Sequence, residues 1–160
     1  MPLSITKIGE SAFDRSGLKS IVIPDKVTSV GYCAFSSCDL LTTVVIGQKV
    51  NEMGRGCFWG SGVKDVYAQP LTPPSVSDYL FGSNPTIHVY ASALEAYQNS
   101  KWAEYGTIVG DLTDEIVDEM ADGIEGPKDF KDNLYNLSGQ RIQKKQTGII
   151  IKNGKKIIQQ

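Results

Sequence analysis

Few residues in this chain carry reactive chemistry, and their spacing argues against its use. His88 is the only histidine. A general base works on a nucleophile held beside it, and no Ser or Cys is tied to His88 by a known motif. The three cysteines, Cys33, Cys38 and Cys57, form an odd set and fall short of the four well-placed ligands of a structural zinc site. Asp114, Glu115, Asp118 and Glu119 have a helical spacing that could gather a cation, but they lack the glycine-centred loop that calcium requires. The run Gly54-Arg55-Gly56-Cys57-Phe58-Trp59-Gly60 resembles a phosphate loop only in its glycine content, because dinucleotide binding needs a strand before it and a helix after it. Asn136-Leu137-Ser138 fits the glycosylation sequon, which carries meaning only in eukaryotic secretion. No catalytic residue, metal ligand or cofactor is assigned, and the chain reads as a non-enzyme.

The pattern that does organise the chain is repetition. Ile8-Gly9-Glu10-Ser11-Ala12-Phe13 returns as Val30-Gly31-Tyr32-Cys33-Ala34-Phe35 and as Met53-Gly54-Arg55-Gly56-Cys57-Phe58. Leu18-x-x-Ile21-x-Ile23 returns as Leu41-x-x-Val44-x-Ile46 and as Val63-x-x-Val66-x-Ala68, with Ile5, Val27 and Val50 recurring upstream of each hexapeptide. A period of about 20–30 residues marks a solenoid, whose units cover one another's apolar faces. Strand alternation then sorts the residues into columns. Ile21, Val44 and Val66 form one inner column, and Ile23, Ile46 and Ala68 form another. Phe13, Phe35 and Phe58 make a buried aromatic spine. Gly9, Gly31 and Gly54 mark a bend that either needs positive φ or leaves no room for a side chain, while Pro24 and Gly47 end the strands. Cys57 shares a column with Ala12 and Ala34, and Cys38 shares one with Ser16 and Ser61, so both read as small buried residues. Export would permit a Cys33–Cys38 disulfide, but the neighbouring repeats carry Ser and Gly rather than Cys. Tyr79-Leu80-Phe81 with Ile87-His88-Val89 reads as a fourth unit whose spacing is broken by Pro73, Pro74 and Pro85.

These units resemble the BspA-like leucine-rich repeat, Ile-x-x-Ile-Gly-x-x-Ala-Phe followed by a small residue and Leu-x-x-Val-x-Ile-Pro. The resemblance is close over residues 4–70, and Ile87 to Tyr97 is similar to the segment with which such arrays finish. It implies an α/β solenoid, a cell-surface or secreted location of the kind found in anaerobic bacteria and some protozoa, and adhesion or capture of protein ligands, host matrix proteins among them.

Past the array, Ser92-Ala93-Leu94-Glu95 predicts a capping box and a short helix. Leu94, Tyr97 and Trp102 would cover the last coil, and Gly106 to Val109 would add a final strand. Residues 1–112 are thus the expected solenoid with its cap. Residues 113–130 read as an acidic linker, since Asp111, Asp114, Glu115, Asp118, Glu119, Asp122 and Glu125 stand in residues 111–125, which carry no Lys or Arg. Its apolar residues, Ile116, Val117 and Met120, support at most a brief helical turn, and it should be the most mobile internal segment. Residues 131–160 read as a small β tail, with a hairpin across Asn153-Gly154. This tail is also similar to the carboxy-terminal tails of exported Bacteroidetes proteins, sorting tails of type IX secretion among them.

Composition bounds the function. The chain has 160 residues and a net charge of −2. No apolar run nears the ~18 residues of a membrane span, no signal peptide opens the chain, and the tail lysines lack the aromatic interleaving of a nucleic-acid site. Met1 is read as the start of a fragment of a longer array, because the first repeat lacks a polar cap and its open core end could support self-association. The expected ligand surface is the outward strand face: Lys19, Thr42 and Lys64; Ser20, Thr43 and Asp65; and an exposed stripe of Val22, Val45, Tyr67 and His88. Two other readings use the same residues differently. One is an intracellular interaction scaffold, and the other is a carbohydrate-recognition module using aromatics such as Trp59 and Tyr67.

Overall fold

The computed structural model describes residues 5–121, 149–152 and 155–158. Each repeat makes one coil. The wider sheet is parallel and takes one strand per coil: β2 (Ser20–Ile23), β4 (Thr43–Ile46), β6 (Asp65–Ala68) and β8 (Thr86–Tyr90), closed by β9 (Thr107–Leu112). A narrower parallel sheet interleaves with it in sequence: β1 (Lys7–Ile8), β3 (Ser29–Val30), β5 (Glu52–Met53) and β7 (Ser75–Val76). A third wall consists of turns whose amides bond to the next coil, as in Phe13 N to Ala34 O, Phe35 N to Cys57 O and Phe58 N to Leu80 O at 2.8, 2.7 and 3.0 Å.

Because successive coils rise by about one strand spacing, a residue repeated once per coil stacks on itself. The strand register shows this directly, pairing Ile21 with Val44, Val44 with Val66 and Val66 with Ile87. The phenylalanines obey the same rule. Phe13, Phe35, Phe58 and Phe81 lie parallel with centroids 5.1, 5.3 and 5.4 Å apart. Phe81 therefore keeps the fourth unit in register despite its prolines. Phe13 and Ile5 are half-buried and Ala12 is exposed, in contrast to the buried Phe35, Phe58, Ala34 and Cys57. The three cysteines are free thiols. Cys38 sits in its small-residue column, with Ser16 Oγ 3.2 Å from its sulfur and Ser61 Oγ accepting its amide at 3.0 Å.

Gly31 and Gly54 act through close approach, whereas Gly9, in the first coil, has open space where a Cβ would stand. A Cβ on Gly31 would lie 2.7 Å from Glu10 N, and one on Gly54 would lie 2.7 Å from Gly31 C, both backbone atoms of the preceding coil. Positive φ occurs elsewhere, at two places in each of the first three coils and one in the fourth: Ser11, Cys33, Gly56 and Tyr79 in one column, and Arg15, Ser37 and Gly60 in the other.

The array closes as expected in outline and differently in detail. A 3₁₀ turn at Ala91–Ala93 leads into α1 (Leu94–Gln98), and a second 3₁₀ turn spans Lys101–Glu104. The capping box does not form: Ser92 lies inside the first 3₁₀ turn, Ala93 takes the N-cap position of α1, and no side chain caps that helix. Ser100 caps the second turn, accepting from Trp102 N at 3.2 Å. Tyr97 and Trp102 are fully buried. Their polar tips donate to backbone carbonyls of the proline-rich coil, Tyr97 OH to Pro70 O at 3.0 Å and Trp102 Nε1 to Pro74 O at 2.8 Å. A wide aromatic body with one polar end suits a coil terminus, where apolar area and unused carbonyls are exposed together.

The segment expected to form at most a brief turn contains an eight-residue helix, α2 (Asp114–Ala121). Thr113 starts it, accepting from Ile116 N through Oγ1 at 3.3 Å. Residues 122–130 of the expected linker and 131–148 of the expected tail lie outside the described residues. Of the tail, β10 (Ile149–Lys152) and β11 (Lys155–Ile158) pair antiparallel, with Ile149 opposite Ile158 and Lys152 opposite Lys155. Among the described residues no helix is long and apolar enough to cross a membrane.

Candidate functional site

The wider sheet turns Ile21 and Ile23 inward and Val22 outward, as alternation requires. Register then sets Val22 beside Val45, Val45 beside Tyr67 and Tyr67 beside His88. The four expected column residues are thus neighbours on one face, but they do not form an exposed stripe. Val45 and Tyr67 retain 1% and 7% of their accessible surface. They form a second small core with Leu112, against which Val22, Tyr90, Ile116 and Val117 pack. The burial has a simple cause. An outward apolar column is itself unstable in water, and Leu112 at the end of β9, with Ile116 and Val117 of α2, covers its centre. Burial pushes the Tyr67 phenol up, and the Asp65 and Asp111 carboxylates push it further.

The end of the column is polar. The His88 ring stacks on Tyr67 with centroids 4.5 Å apart and planes 11° apart. Its Nδ1 donates to both carboxylate oxygens of Asp111, at 2.9 and 3.0 Å. Its Nε2 is buried without a hydrogen-bond partner, 3.6 Å from Asp65 Oδ1. A bulge supplies this geometry. His88 pairs with Val109 but Tyr90 pairs with Leu112, so β9 carries an extra residue there and Asp111 is turned toward the imidazole. The His88 side chain is 16% exposed, whereas Asp65 and Asp111 are 45% and 57% exposed. The ring is therefore a backing for two accessible carboxylates. Among the described residues no group of three or more His, Cys, Asp or Glu is arranged to hold a metal ion.

The lysine column behaves differently. Lys19 and Lys64 are exposed, and Thr42 between them is half-buried, its hydroxyl donating to Lys19 O at 3.3 Å. In the adjoining column Ser20 is buried while Thr43 and Asp65 are half-buried. The face therefore presents Lys19, Lys64, Val22 and the Asp65–His88–Asp111 cluster, with α2 bordering them.

Two features were not legible in the residues. In sequence Asp111 is one acid among several, since its contact depends on a bulge. A cleft of about 570 Å³ opens at the start of α2, lined by Lys49, Asn51, Gln69, Leu71, Tyr90 and Asp114. Tyr90 OH donates to Asp114 Oδ1 at 3.0 Å across it. It joins residues from Gln48 to Asp114, and no local pattern signals such a junction.

No curated protein matches the chain. The model of the BspA type leucine rich repeat region matches residues 1–90 in six copies, more than half of the sequence. That span holds the coils through β8, with their parallel strands in two sheets and one phenylalanine per coil. On the repeats, their stacking and this match together, the chain belongs to the BspA-type leucine-rich repeat family.

Proposed function

We propose that this chain is a non-enzymatic binding and adhesion module at the cell surface or in the secreted space, recognising a protein ligand through the outward face of its wider sheet. Membership of the BspA-type repeat family supports the interaction role. The observation that carries the reading is the set of outward side chains that packing leaves unused. Lys19 and Lys64 are exposed in one column, and Asp65 and Asp111 flank His88 at its border. Cations and carboxylates held on a rigid ladder give a partner both signs of charge at fixed spacing, which favours specificity and steering. The buried Val45 and Tyr67 brace α2 and set the edge of the accessible face. Host matrix proteins are the first ligands to test.

Surface plasmon resonance against a panel of immobilised matrix proteins tests this. A Lys19→Glu, Lys64→Glu double variant should bind at least about tenfold more weakly than wild type. Its unfolding midpoint should not change, because both side chains lie in solvent. A folded variant that binds its ligand unchanged would move the interface off this face.

A further inference from the structure

The turn wall of the solenoid holds a second surface that the outward sheet face does not use. Tyr32, Trp59 and Tyr79 are 49%, 48% and 52% exposed. With Cys33, Arg55 and Gly56 they line a notch of about 300 Å³. Such a cluster contributes little to the core, whose aromatic work is done by the buried phenylalanine stack next to it.

The notch is made by the left-handed column of the turn wall. Ser11, Cys33, Gly56 and Tyr79 follow one another with φ of 52°, 50°, 65° and 61°. Only the third coil has glycine there, so no side chain fills the space between Cys33 and Tyr79. A Cβ at Gly56 would stand 3.4 Å from Cys33 Sγ and 3.6 Å from Trp59 Cβ. Tyr79, a bulky residue in a conformation it seldom adopts, projects on the far side. Trp59 has Gly82 at its place in the next coil and Ser36 in the previous one, so its column supplies no ring to cover the indole.

The groups around this gap are matched to a ring bearing a carboxylate. Trp59 and Tyr79 meet edge to face at 5.4 Å, and the Arg55 guanidinium lies 5.1 Å from the centre of the Tyr79 ring. Stacking covers one face of the guanidinium and leaves its in-plane donors free for a planar anion. The acid nearest in the array, Asp78, is held by Lys101 at 2.5 Å. The Lys101 ammonium keeps the Asp78 carboxyl below its usual value, with Arg55 a minor contributor. The wall offers no free strand edge either. The amides of Cys33, Ser37 and Gly56 are bonded to Arg55 O, Trp59 O and Asp78 O of the next coil. Recognition here must come from side chains, which disfavours an extended peptide adding as a strand.

We propose that this notch is a binding site for a carboxylated pyranose, of the uronate or sialate class, with the sugar face on Trp59 and its carboxylate on Arg55. It stands independently of the protein-binding face, with which it shares no residue.

The test is NMR titration of the two indole N–H signals, Trp59 assigned by Trp59→Phe, with sodium glucuronate and with neutral methyl glucoside. The Trp59 signal should shift while that of the buried Trp102 stays fixed. Glucuronate should bind about tenfold more tightly than the glucoside, the margin expected of a charge-assisted bidentate contact. Arg55→Gln should abolish that margin. Gly56→Asn, which tolerates positive φ and fills the notch without removing a wall, should abolish binding of both sugars. The Lys19→Glu, Lys64→Glu variant should bind glucuronate as wild type does, whatever becomes of the protein ligand. Equal affinities for the two sugars would overturn the role of Arg55. A fixed Trp59 signal in both titrations, or a shift that survives Gly56→Asn in a folded protein, would overturn the site, as would an acidic peptide moving Trp59 where the sugars do not.

Discussion

Tyr67 and His88 lie on adjacent strands with their rings stacked 4.5 Å apart. Tyr67 faces the small second core, while His88 is held between the carboxylates of Asp65 and Asp111. One outward column thus changes along its length from a packing surface to a polar edge. Substitutions in it should separate accordingly, with Tyr67 affecting stability and His88 affecting the placement of Asp111.

Detaching α2 is the direct check on the covered column. Ile116→Asp with Val117→Asp places two charges where apolar side chains pack against Val45 and Tyr67. Burying an uncompensated carboxylate is costly, so α2 should leave the sheet while the main core remains intact. Hydrogen exchange of the amides in 114–121 should accelerate, and those of β4 and β6 should stay protected. Unchanged exchange in α2 would show that Ile116 and Val117 do not hold it. If α2 also limits access to the ligand face, the variant should bind the protein ligand more tightly.

The phenylalanine stack should dominate stability. Phe35 is fully buried between Phe13 and Phe58, and Phe35→Ala removes a ring that two neighbours contact on opposite faces. A loss of about 3–5 kcal/mol is expected. Denaturant unfolding measures it, and a midpoint within error of wild type would contradict the packing.

Alkaline pH should destabilise the fold through two tyrosines. Burial pushes both Tyr67 and Tyr97 above their ordinary value of 10.0, Tyr97 strongly. In the unfolded chain these phenols ionise at their ordinary value, while in the folded protein they stay protonated to higher pH. The folded state therefore binds more protons in that interval, and stability falls as pH rises above about 10. The contribution is fully present below the unfolded value. Tyr97→Phe should shallow the alkaline decline, although it also removes the hydrogen bond to Pro70 O. A midpoint that is flat between neutral pH and pH ~11 would contradict the burial of both hydroxyls.

The inner columns were readable from the residues alone. A coil that rises by one strand spacing places every repeated residue above its own copy, so Ile21, Val44 and Val66, and likewise Phe13, Phe35 and Phe58, could be aligned by counting. The same logic identified Gly31 and Gly54 as special, and the structure decided between the two reasons, close approach over positive φ. Tyr97 and Trp102 were recognisable as the cap because a terminal layer must be covered, and both are buried there.

What counting could not supply lies where the repeat stops. Ser92 has the residues of a capping box around it, yet its backbone closes as a 3₁₀ turn because the chain must bend at once over the last coil. Asp111 reaches His88 only through a bulge in β9. Leu112 ends the bulged strand β9 and Ile116 and Val117 lie on α2, and their packing against Val45 and Tyr67 depends on the path the chain takes out of its last coil. Within the array, position in the sequence is position in space, because each coil templates the next. Beyond it that correspondence is lost, and only the burial of remaining apolar surface across distant residues selects the arrangement.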